Sequence, residues 1–383
     1  MTRREMLQGG LSAAVSVAAT AGLRGRASGL PAGSDIPSNE REAMAEVATG
    51  FMKKYNVPGL SVAIARDGHF VYQQPFGMAD RKATRRLTSS HLFRIASVTK
   101  PITSAAIFTL IEQGRLRLSD RVFGKGAILG TDYGTPPLKQ YVEDITLEHL
   151  LTHTCGGWQN DGSDPMFRFP QKNHAQLISW TLEHEPLTHR PGEHWAYSNF
   201  GYCVLGRVIE KTTRQPYQEY VRESILAHCG INSMRIAGNT LGDRAPNEVM
   251  YYGQGGEDPY DMNVARMDSH GGWLATPSDL VRFLTHVDGF ATTPNILKHE
   301  TIKVMTQPCA PNQGYAKGWL VNKLGNWWHN GGLPGTTTIM VRTSSGFCWA
   351  ALTNTRAILG NMGDDLDQMV WDIVHKVKSW QPA

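Results

Sequence analysis

Residues 60–77 read LSVAIARDGHFVYQQPFG. Two strand-like runs flank Asp67-Gly68, a pair that accepts the positive φ angles of a tight turn and is the strongest short hairpin signal a sequence carries. Working outward, residues 39–55 (NEREAMAEVATGFMKKY) carry apolar positions at helical spacing, and Asn56-Val57-Pro58-Gly59 ends that pattern. Near the other end, YAKGWLVNK (315–323), TTTIMVRT (336–343) and FCWAALTN (347–354) are rich in β-branched and aromatic residues and read as three strands. DDLDQMVWDIVHKVKSW (364–380) returns to helical spacing. From Ser97 to about residue 300, helical segments are broken by long Gly/Pro/Asn/Asp loops at 124–137, 156–173 and 238–262. The expected fold is α+β. One antiparallel sheet is built from both termini (29–96 and 310–383) and flanked by the terminal helices, with a mostly helical domain (97–309) inserted between them. A site at the seam of the two layers follows from that arrangement.

A chain of 383 residues with 41% hydrophobic and 19% charged residues can bury a substantial core. The first 28 residues read differently. A twin arginine (Arg3, Arg4) precedes the small apolar run LSAAVSVAATAG, which is too short to span a bilayer and reads as a Tat-like export signal. A periplasmic or secreted location is therefore expected. Losing that segment removes four arginines and Glu5, so the formal charge of +4 falls to about +1. Nucleic acid is not an expected partner, nor is stable membrane insertion; a small molecule is. The sequence does not fix the oligomeric state. Cys155, Cys203, Cys229, Cys309 and Cys348 form an odd set matching no disulfide or zinc spacing, and most read as small buried hydrophobes.

Three short motifs carry chemistry. In HLFRIASVTK (91–100), Ser97 and Lys100 would share a helix face, so the amine can serve as base to the hydroxyl if its pKa is lowered. Pro101 fits a first helical turn, whose N–H groups would face an anion forming at Ser97. Alone, Ser-x-x-Lys is equally an N-cap followed by a surface lysine. The second motif is Tyr197-Ser198-Asn199 at a helix start, where a phenol could shuttle protons. The third is His329-Asn330-Gly331-Gly332, whose glycines allow close approach of a substrate and whose Gly332 N–H could bind an oxyanion.

Together the motifs resemble the β-lactamase and penicillin-binding serine hydrolase family, in its class C and family VIII esterase branch. HLLTHTCGG, YSNFGYCVLGRVIE, GGWLATPSDLVRF, GWLV and HNGGLPG resemble family segments in the same order. The resemblance implies Ser97 as acylated nucleophile, Lys100 and Tyr197 as the base system, and Asn199 as an orienting residue. It places an oxyanion hole at the N–H groups of Ser97 and Gly332. No cofactor or metal is implied. Where many family members carry Lys-Thr-Gly, this chain carries His329-Asn330-Gly331. A histidine near its ordinary pKa of ~6.5 is mostly neutral at pH 7. That departure favours a carboxylesterase on small neutral esters, over a β-lactamase or a D-Ala-D-Ala-type peptidase. It also predicts better turnover of carboxylate-bearing substrates as the pH falls toward 6.

Other readings are weaker. His149 and His153 are spaced as zinc ligands can be, but Leu150 follows His149 where a metalloprotease needs Glu, so the pair reads as structural. Gly-x-Ser-x-Gly, the α/β-hydrolase elbow, is absent. A non-catalytic binding protein is disfavoured by the joint presence of Ser97, Lys100 and Tyr197. Among the aromatic residues near the motifs, Trp158 is the one expected to wall a substrate pocket.

Overall fold

The computed structural model describes residues 36–380. The expected export signal lies outside them, and no described helix is long and apolar enough to cross a membrane. Among the described residues the principal helices are α1 (Ser38–Lys54), α2 (Thr99–Glu112), α3 (Asn199–Thr213), α4 (Pro277–Thr285) and α5 (Met362–His375). The main sheet has seven strands: β1 (Gly59–Arg66), β2 (His69–Asp80), β3 (Arg85–Arg86), β4 (Leu320–Val321), β5 (Trp327–Leu333), β6 (Thr336–Arg342) and β7 (Phe347–Thr353).

The 60–77 stretch forms the expected hairpin, with Asp67 and Gly68 at φ +48° and +79°. The sheet order is β3-β2-β1-β7-β6-β5-β4, with every pair antiparallel. The two ends of the chain meet at its centre, where Leu60 faces Thr353 and Arg66 faces Phe347.

Alternation along the central strands sorts side chains onto two faces. Leu60, Val62, Ile64, Trp349 and Ala351 join α1 and α5 in an outer cluster with Met44, Phe51, Leu366 and Val370. Ala63, Ala65, Ala350 and Leu352 point the other way, into a cluster shared with Ile102 and Phe108 of α2, Leu205 of α3 and Leu280 of α4. Small side chains on this face let α4 lie close to β1 and β7. One apolar cluster therefore runs through both layers.

The C-terminal strands differ in part from expectation. YAKGWLVNK contributes only Leu320–Val321, because Gly318 adopts φ +88° and Ala316 N bonds back to Trp319 O at 2.8 Å, folding the segment into a turn. The extra strand is Trp327–Leu333, so the His-Asn-Gly-Gly motif lies within a paired strand of the sheet. The five cysteines are buried free thiols.

Candidate active site

Residues 91–100 are all buried except Ser97. The short strand Phe93–Arg94 pairs with Trp273–Ala275, and β6 grips the same stretch from the other side. Thr336 Oγ1 donates to Arg94 O at 3.0 Å and Thr338 Oγ1 donates to Ile95 O at 2.9 Å. Ala96 is held at φ +48°, a left-handed conformation costing an L-residue about 1–2 kcal/mol. Such strain persists only where the surroundings over-determine it. A 3-10 turn (Ala96–Val98) then feeds α2, so Ser97 sits at the positive end of a 14-residue helix.

Lys100 is fully buried, which rules out the surface-lysine reading. Its Nζ lies 3.1 Å from Ser97 Oγ, 2.8 Å from Asn199 Oδ1 and 2.9 Å from the carbonyl oxygen of His270. Burial holds the amine well below the ordinary lysine range, against an opposing pull from Asp164. In its neutral form the amine would keep its two N–H bonds to Asn199 and His270 and turn its lone pair toward the Ser97 hydroxyl. That arrangement suits proton abstraction from Ser97.

Tyr197 lies just before α3, whose N-terminus is capped by Ser198 Oγ accepting from Gly201 N at 3.0 Å. Burial raises the phenol above its ordinary pKa, and a side-chain hydrogen bond with Ser97 opposes that rise. Lys100 Nζ stands over the ring, 4.8 Å from its centroid. Burial thus disfavours the charged form of both groups, the ammonium of Lys100 and the phenolate of Tyr197. Asn199 turns its side-chain oxygen to Lys100.

Behind Tyr197, the backbone N–H of Ser198 donates to His153 Nδ1 at 3.1 Å, fixing that ring as the Nε2–H tautomer. His153 Nε2 then donates to the Tyr315 hydroxyl at 3.0 Å, and Tyr315 donates to His329 Nε2 at 3.2 Å. His329 Nδ1 donates to Asn330 O at 2.7 Å. The chain links the second motif to β5. His149 is occupied elsewhere, its Nδ1 accepting from Thr146 N at 3.1 Å.

Ser97 opens into a cleft with two lobes. The larger, of about 390 Å³, is polar and lined by Tyr197, Asn330, Gly332, Arg356 and Asp364. The second, of about 320 Å³, is lined by Phe167, Met262, Met267, Leu333 and Pro334. Ser97, Gly332 and Arg356 border both. A Cβ at Gly331 would stand 2.5 Å from Ile95 O, whereas one at Gly332 would meet nothing closer than the Arg356 guanidinium at 3.6 Å. Gly331 lets β5 press against the nucleophile turn, while Gly332 faces the open cleft.

The Beta-lactamase family model matches residues 44–369. The chain belongs to the Beta-lactamase family. It is 26% identical over 342 residues to Penicillin-binding protein 4* of Bacillus subtilis (strain 168), covering 80% of this chain and 70% of that one. It is 32% identical over 180 residues to Esterase EstB of Burkholderia gladioli, 43% of each chain. The solved D-amino acid amidase from Ochrobactrum anthropi SV3 superposes with a TM-score of 0.72 at 23% identity, over 88% of this chain and 98% of that one. That likeness establishes the fold of this serine hydrolase family.

Two residues expected at the site of this Beta-lactamase-family chain turn away from the cleft. Trp158 does not border the Ser97 cleft. Its indole donates to Glu185 O at 3.1 Å, its ring packs edge-on against Phe200, and it lines a separate cavity of about 170 Å³. The His329 side chain is also withdrawn, because strand alternation turns it inward while Asn330 faces the cleft. Burial, with Lys100 nearby, depresses its pKa to about 3, so it gains no proton near pH 6. The positive charge at the cleft comes instead from Arg356, exposed and, among the described residues, held by no side-chain hydrogen bond or ion pair. Sequence reading missed Arg356, the His270 carbonyl and Asp164. A lone arginine after a strand, a backbone oxygen and one loop residue leave no local pattern.

Proposed function

We propose that this chain is a carboxylesterase acting through an acyl-enzyme on Ser97. The observation that carries the reading is Lys100: a fully buried amine, held by burial well below the ordinary lysine range, whose Nζ lies 3.1 Å from Ser97 Oγ and donates to Asn199 Oδ1 and the His270 carbonyl oxygen. Ser97 Oγ attacks the ester carbonyl as its proton passes to Lys100 Nζ. The N–H groups of Ser97 and Gly332 receive the oxyanion. As the C–O bond to the leaving alcohol breaks, Tyr197 gives the alkoxide a proton, and the Lys100 ammonium returns one to the resulting phenolate. Water then attacks the acyl-serine with Lys100 again as base, releasing the acid and free Ser97.

In the second lobe Phe167, Met262, Met267 and Leu333 give an acyl group an apolar surface to pack on, beside the polar Asn160, Asn199 and Arg356. The similarity to Esterase EstB supports ester chemistry. Restriction to neutral esters is dropped, because Arg356 supplies the cleft with the cation that the third motif lacks. Arg356 favours a second reading, a peptidase or β-lactam-type substrate with a carboxylate paired to its guanidinium. A panel of a p-nitrophenyl acyl ester, a D-amino-acid amide and a cephalosporin, each with wild type and Ser97→Ala, tests both. Ester turnover well above the other two, abolished by Ser97→Ala, is expected. Faster amide or cephalosporin turnover would replace the esterase reading with the second.

A further inference from the structure

Asp164 is 1% exposed, at the end of the loop before the short helix Pro165–Arg168. Its Oδ1 accepts from Met166 N at 2.9 Å, capping that helix, and its Oδ2 accepts from Asn199 Nδ2 at 2.9 Å. The other proton of that amide goes to Asn160 Oδ1 at 2.9 Å. Both donors of Asn199 are thereby committed, so its oxygen must face Lys100, at 2.8 Å. Without an acceptor at Asp164 Oδ2 the amide loses the bond that sets its polarity, and a flipped amide would point N–H groups at the lysine.

A buried carboxyl is costly without a paired cation, and none is bonded to this one. The Arg266 guanidinium is spent on the carbonyl oxygens of Met166, Phe169 and Lys172. The charged and titratable groups that sense Asp164 are Lys100 on α2, Tyr197 before α3, Arg266 in the turn Ala265–Met267, and Asp161 on its own loop. We infer that Asp164 is a positioning residue, acting through the amide of Asn199 to hold Lys100 against Ser97. The inference rests on Lys100 being the base of acyl transfer. Its charge acts in the same place. Burial raises the Asp164 carboxyl to about 6, and in its ionised form it favours the ammonium of Lys100. Removing it should ease deprotonation of Lys100.

Asp164→Ser separates this role from helix capping, since serine caps well but is too short to reach Asn199. Asp164→Asn combined with Asn199→Asp restores the hydrogen-bond polarity, the new amide donating to a carboxylate whose other oxygen faces Lys100. With a neutral p-nitrophenyl ester, Asp164→Ser is expected to lower kcat about 10- to 100-fold, as loss of an orienting partner does elsewhere. KM should change little, and the acid limb of kcat/KM should move to lower pH. The double variant should regain part of the lost kcat, with that limb moved above the wild-type position. Wild-type kcat and pH profile in folded Asp164→Ser, or no recovery in a folded double variant, would overturn the inference. Lys100→Met, assayed alongside, isolates the underlying reading. If it retains wild-type turnover, the esterase mechanism fails and this inference with it; if it is inactive while Asp164→Ser is unchanged, only the inference fails.

Discussion

Gly331 on β5 and Ile95 ahead of the nucleophile meet backbone to backbone, so that a methyl at 331 would stand 2.5 Å from the Ile95 carbonyl oxygen. The same methyl would also stand 2.5 Å from Thr338 Oγ1, the group that bonds Ile95 O, so the neighbours cannot yield independently. Gly331→Ala should destabilise the protein by about 1–3 kcal/mol, as overpacking does. It should also cut kcat, by displacing Ser97 from Gly332. Gly332→Ala, which points into the cleft, should leave the melting temperature nearly unchanged. Thermal unfolding of both variants checks the contrast, and equal loss of stability would contradict it.

Tyr197 is placed to protonate a leaving group. Tyr197→Phe should therefore slow an alkyl ester, whose alkoxide needs a proton, far more than a p-nitrophenyl ester, whose phenolate does not. A loss of about 10²–10⁴ is expected for the former. Equal losses for both esters, measured as kcat/KM, would remove Tyr197 from that role.

Arg356 borders both lobes of the cleft. Arg356→Ala should raise KM for a carboxylate-bearing ester about 10-fold or more, the worth of a hydrogen bond to a charged group. A neutral ester of the same size should be unaffected. The comparison of the two KM values decides, and an equal rise in both would point to a lost packing contact.

His329 should stay neutral across the physiological range. Its folded-state pKa is depressed to about 3, against ~6.5 when unfolded, so the unfolded chain binds the extra proton between those values. Its contribution to stability is then complete above about pH 6.5 and is lost as the pH falls toward 3. An imidazole NMR signal for His329 that is flat from pH 8 to 5 is expected. A midpoint between 6 and 7 would restore the charge argument first drawn from the third motif.

The hairpin and the sheet joining both ends were legible because their signals are local: a turn pair at 67–68 and period-two alternation on each side. Ser97 and Lys100 were legible for the same reason, three residues apart at a helix start. The orientation of His329 was not, since one step of strand register decides whether it or Asn330 faces the cleft. YAKGWLVNK misled because Gly318 turns a run of strand-forming residues back on itself. Trp158 misled because its position after Gly156-Gly157 gives no sign that Phe200 and Glu185 O draw it away from Ser97. One acceptor of Lys100 is the backbone carbonyl of His270, a group that every residue type possesses equally.

The central claim is that Ser97 is acylated with Lys100 as its base, and intact mass spectrometry of the protein mixed briefly with a p-nitrophenyl acyl ester tests it most directly. A transient mass increase of one acyl group, mapped to Ser97 and missing in both Ser97→Ala and folded Lys100→Met, is the predicted result. An adduct that forms at the wild-type rate in Lys100→Met, or that maps to any residue other than Ser97, would contradict the account.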